Sequence, residues 1–157
     1  MEQRPTYRAG FALYITLNLM SGALYVRLAP DADMPDVGLS AARVVVIAES
    51  TVSPFWQARV STWLARSGCM YMMAWGENCS SWDDSVDMAN LKEFDFGEIP
   101  HERFIMTTWH TEEPLSEVFW FSKHNATHPT VEIDRTVLLH ISVQDKEREF
   151  LELYAEA

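Results

Sequence analysis

The chain has 157 residues, 48% of them hydrophobic and 12% aromatic, which fits one folded domain with a core of its own and argues against a disordered chain. Its 12 basic residues stand against 23 acidic ones, giving a net charge of -11. That surface repels phosphate backbones and anionic membranes, so a nucleic-acid or membrane partner is not expected, whereas a basic protein would be attracted.

Near the N-terminus, Arg4 and Arg8 precede the apolar stretch Phe11 to Met20 and then Ser21-Gly22-Ala23, a layout that superficially resembles a signal peptide. Tyr14, Thr16 and Asn18 interrupt that stretch at every second position, a period that fits a strand better. Phe11 to Leu17 and Ala23 to Leu28 therefore read as a β-hairpin on a sheet edge, followed by a turn-rich linker from Pro30 to Ser40. Residues 1–40 form this hairpin and linker, and residues 41–157 an α/β domain of the (βα)4 kind.

Val44, Val45, Val46 and Ile47 make the clearest buried strand. Ser53 and Pro54 then supply an N-cap and a proline at the first helical position. Trp56, Val60, Trp63 and Leu64 line one helical face, and Gly68 offers a left-handed stop. The run Met70 to Trp75 is a second strand, apolar throughout and so central. After Gly76 comes a polar turn, Glu77-Asn78-Cys79, with Ser80 or Ser81 expected to cap a helix whose first turn holds Asp83 and Asp84. Arg103 to Trp109 is a third strand. Pro114 opens a third helix packing through Leu115, Val118, Phe119 and Ser122. Thr136 to Val143 is a fourth strand, and Asp145 caps a last helix carrying Phe150, Leu151 and Tyr154. The spacing of roughly 30 residues per strand-helix pair matches βαβ units. A single three-layer Rossmann-like domain follows, with a four-stranded parallel core sheet flanked by helices on both faces.

WQARVSTWLARSGCMYMMAWGENCSSWDDSVD and RFIMTTWH resemble a family of small bacterial single-domain proteins without a characterised activity. The resemblance spans residues 43–142 and leaves the N-terminal hairpin out. It implies a bacterial, cytosolic, single-domain protein and no chemistry.

Parallel strands would gather Glu49, Glu77, Cys79 and His110 along one rim, where ligands bind in open α/β sheets. A thiol, an imidazole and carboxylates there are candidates for nucleophilic or acid-base work. Signatures of known chemistry are missing: Ser85 stands where a phosphatase-like loop after Cys79 needs arginine, and AESTVS lacks the glycines of a phosphate-binding turn. Cys69 and Cys79 are separated by a strand about 20 Å long and read as reduced thiols of a cytoplasmic protein. The five histidines lack zinc spacing, and Asp83, Asp84 and Asp87 read as carboxylates facing water, so no metal and no cofactor are expected.

Trp82, Trp109 and Trp120 lie beside acidic or polar turns or off a packing face. With Asp83, Asp84 and Asp87 they compose a candidate interaction surface, in which aromatic anchors bind and carboxylates steer. The leading expectation is thus a non-enzymatic, acidic interaction module of immunity or antitoxin type for a basic protein partner. The alternative is a small-molecule or nucleotide-like site, or an enzyme, at the strand carboxyl ends. A structural subunit using the hairpin to extend another sheet is a third.

Overall fold

The computed structural model describes residues 22–157. Phe11 to Leu17, the expected first strand of the hairpin, and the signal-peptide-like stretch lie outside the described residues. Among the described residues, five strands form one sheet, β1 (Leu24–Leu28), β2 (Ala42–Ala48), β3 (Cys69–Gly76), β4 (Met106–His110) and β5 (Arg135–Ile141). Their order is β1-β5-β2-β3-β4, and every neighbouring pair is parallel. The four-stranded expectation is corrected to five: Leu24–Leu28 is a full member of the sheet, paired in parallel with β5 from Leu24↔Val137 to Leu28↔Ile141.

Among the described residues, four helices cover the sheet, α1 (Pro54–Ser67), α2 (Cys79–Glu93), α3 (Leu115–His124) and α4 (Glu147–Glu156). Their placement follows from right-handed crossovers. The steps β2 to β3 to β4 run one way across the sheet and put α1 and α2 on one face. The step from β4 back to β5, on the far side of β2, reverses direction and puts α3 on the other.

Side chains of β2 alternate between the two cores this creates. Val44 and Val46 pack with Trp56, Val60, Leu64, Trp82 and Val86 of α1 and α2. Val45 and Ile47 pack with Val118, Phe119, Phe150 and Tyr154 of α3 and α4. Central strands buried on both faces are why the sequence there is continuously apolar.

The ends of α1 are as the sequence dictates. Ser53 Oγ accepts the Trp56 N–H at 3.2 Å, and Gly68 closes the helix at φ 102°. By contrast, α2 begins at Cys79, earlier than a Ser80 or Ser81 cap allows. Asn78 occupies its cap in the left-handed region at φ 52°, and Ser81 Oγ instead donates to the Asn78 carbonyl at 2.7 Å. The first turn therefore holds no carboxylate, and Trp82 turns into the core.

Candidate functional site

The carboxyl end of β2 leads to α1 on one face, and that of the adjacent β5 leads to α4 on the other. Between two such strands the connecting loops part, leaving the crevice that ligands occupy in open α/β sheets. Glu49, the first residue beyond β2, stands there. Its Oε1 meets His140 Nε2 at 2.5 Å, and its Oε2 accepts from Lys146 Nζ at 2.9 Å. On the other side of the ring, His140 Nδ1 lies 2.6 Å from Tyr25 Oη, which accepts the backbone N–H of Lys146 at 3.1 Å. Phe150 seals the ring edge-to-face at 4.8 Å.

The partners fix the proton positions. An ionised carboxylate only accepts, so Nε2 carries the hydrogen, and Nδ1 of the neutral ring accepts the Tyr25 O–H. Electrostatics agree. His140 is 0% exposed, and burial holds its imidazole below the ordinary 6.5 against the pull of Glu49. Burial raises the Tyr25 phenol. Burial would also raise Glu49, but hydrogen bonds from Lys146 and His140 outweigh it and hold the carboxyl below its ordinary range. Three side chains, Tyr25 of β1, His140 of β5 and Lys146 of the loop after β5, thus hold one partly exposed carboxylate in a fixed pose.

Beside it is an open cleft of about 360 Å³, lined by Ala48, Glu49, Trp75, Gly76, Glu77 and Asn78. Two of the expected rim residues, Glu49 and Glu77, therefore share one cavity. The indole of Trp75 is tied by Nε1–H to the Glu113 carbonyl at 2.7 Å.

His110 lies elsewhere on the rim. The registers place His140, Ile47, Trp75 and His110 in one row, three strand spacings end to end, which separates the two imidazoles by roughly 14 Å. His110 is engaged by Thr108 Oγ1 and Glu113 Oε2, each at 3.0 Å, and stacks edge-on against Phe121. Cys79 is buried in the opposite core, among the α1 and α2 side chains. The sheet stands between thiol and imidazole, so the two do not form a nucleophile-base pair. Cys69 is buried as well, and burial pushes its thiol up to about 12. Both thiols are expected to resist a disulfide reagent in the native protein and to react only as fast as it unfolds, which a labelling time course with and without urea measures.

The expected aromatic and acidic surface is redistributed. Trp82 is 1% exposed and Asp83 7%, both too buried to meet a partner. Trp109 and Trp120 are 52% and 48% exposed but lie on opposite faces, Trp109 on the α2 side and Trp120 on α3 against His124. Asp84 and Asp87 remain exposed on α2. Asn90 holds the Ile105 N–H and Asp87 the Thr107 hydroxyl, so the preceding turn of α2, with Asp83 and Asp84, runs alongside Trp109.

Among the described residues, no set of three or more His, Cys, Asp or Glu side chains could hold a metal ion, and no helix is long and apolar enough to cross a membrane. Residues 23–157 match the family model described as a domain of unknown function, DUF7684. The chain belongs to the DUF7684 family. No curated protein and no solved structure matches it. The DUF7684 match is wider than the resemblance carried by residues 43–142. It takes in β1 and α4, and with them every member of the Tyr25, His140, Glu49 and Lys146 network.

Proposed function

We propose that this protein binds a small cationic or amine-bearing molecule in the cleft between Glu49 and Glu77. One observation carries the reading: a buried tyrosine and histidine are spent on orienting a single carboxylate at the crossover crevice. Apolar side chains would fill that space at lower desolvation cost, so the network serves the pose of Glu49. Two carboxylates, an indole and the Asn78 amide suit an ammonium or guanidinium group, and the net charge of -11 favours cations over phosphates. The distance of Cys79 from His110 supports binding rather than covalent chemistry. Two buried, unpaired thiols support a cytoplasmic setting.

Thermal shift with 1,4-diaminobutane, agmatine, adenosine and ATP tests the proposal. A diamine or agmatine is expected to raise the wild-type melting temperature, with the shift lost in Glu77→Gln and in Glu49→Gln. Stabilisation by ATP instead, or a cation shift that persists in both variants, would refute it.

The acidic interaction module of immunity or antitoxin type is a second reading. Its specific support is the exposure of Trp109 beside Asp84 and Asp87, without Trp82 or Trp120.

A further inference from the structure

Among the described strands, β4 ends the sheet. Its sequence Met-Thr-Thr-Trp-His has no proline, lysine or carboxylate of the kind that blunts an exposed edge. Among the described residues, backbone hydrogen bonds reach it from β3 alone. On its α2 side runs a groove of about 360 Å³ whose walls include Leu91, Ile99, Phe104 and Ile105. Leu91 and Phe104 are exposed along it, and Trp109 is exposed further along β4. Asp84 and Asp87 border the same side, and exposed Asp95, Glu98 and Glu102 follow in the loop from α2 to β4.

From these features we infer that β4 is a docking edge for an extended, basic segment of another protein, which adds as a further strand. The inference deepens the interaction reading and is independent of the cleft between Glu49 and Glu77. Alternate side chains of an added strand face the α2 side. One would enter the apolar groove at Phe104, the next would meet Asp87, and an arginine beyond it would stack on the Trp109 indole. Charge decides against a second copy of this chain: two such edges would bring Asp84, Asp87 and their neighbours together in a protein already at -11.

The test uses a short acetylated peptide in which Arg alternates with Val, titrated into the full chain and followed by isothermal calorimetry. Saturable binding is expected, weaker by about tenfold on going from low to high salt. It should also weaken in Trp109→Ala and in an Asp84→Asn, Asp87→Asn double variant. Methylating the backbone nitrogens along one edge of the peptide should abolish it, and Glu49→Gln should leave it unchanged. Binding indifferent to N-methylation and to Trp109→Ala, or no binding, would overturn the inference. So would a wild-type protein that sediments as a dimer and becomes monomeric in Trp109→Ala, which would assign the edge to a second copy.

Discussion

Replacing Gly76 by alanine is expected to destabilise the fold by about 3 kcal/mol or more, summing left-handed strain of about 1–2 kcal/mol with an overpacking cost of similar size. Gly76 has φ 99°, and a Cβ built there falls 2.2 Å from the carbonyl oxygen of Ala48. That oxygen belongs to the end of a central strand and accepts the Glu77 N–H at 2.7 Å, so it has nowhere to retreat. Gly22 is the control. Its φ is 75°, with nothing within 4 Å of a built Cβ, so Gly22→Ala should cost only about 1 kcal/mol. Urea denaturation of both variants measures the difference, and equal costs would show that the contact with Ala48 relaxes freely. The close approach at Gly76 also brings Glu77 up to Glu49 as the second wall of the cleft.

The second large effect is at His140. Removing it with His140→Ala leaves a cavity in the α3 and α4 core, a buried phenol and a carboxylate without its ring partner, together costing about 3–5 kcal/mol. Lys146 remains to Glu49, but a pair this exposed contributes at most about 1 kcal/mol. The pH dependence separates the network from mere packing. With its folded pKa below the ordinary 6.5, His140 takes up a proton more readily when unfolded. Its contribution is therefore complete above about pH 6.5 and is lost as pH falls toward the lower folded value. Glu49, also lowered, contributes above its ordinary 4.5 and loses that contribution on further acidification. Both act in one direction, so wild-type stability should fall from pH 6.5 downward in two stages. The first stage should vanish in His140→Ala. Denaturation curves between pH 4 and 8 check it, and a variant with an unaltered first stage would remove His140 as its source.

The parallel sheet, the helix faces and most boundaries were legible because they rest on local patterns. Four consecutive apolar residues at Val44 to Ile47 leave no polar face, and Leu115, Val118, Phe119 and Ser122 are buried as their spacing requires. The fifth strand was misread because Leu24 to Leu28 follows a glycine turn at Gly22 like the second half of a hairpin, while its true neighbour lies more than a hundred residues away. The start of α2 was misread because Asn78 caps through its backbone, where serine side chains advertise themselves falsely.

The site was half legible. Glu49 and Glu77 follow strands and announce the rim. The importance of His140 was visible only as one ionisable letter inside Thr-Val-Leu-Leu-His-Ile-Ser-Val, and nothing local connects it with Tyr25 or Lys146. Trp82 shows the converse failure. An aromatic beside two aspartates reads as a contact residue until the helix phase is known, and that helix starts from a cap four residues away, at Asn78.

The seat of β1 has a consequence for how the chain assembles on the ribosome. The nascent polypeptide can bring β2, β3 and β4 together as each emerges, but β1 has no neighbour until Arg135–Ile141 has been synthesised. The earliest of the five described strands to leave the exit tunnel is thus among the last to be seated, and Tyr25 reaches His140 only once β5 has emerged. Until then, the β5-facing border of β2 stays open to chaperones and to mispairing.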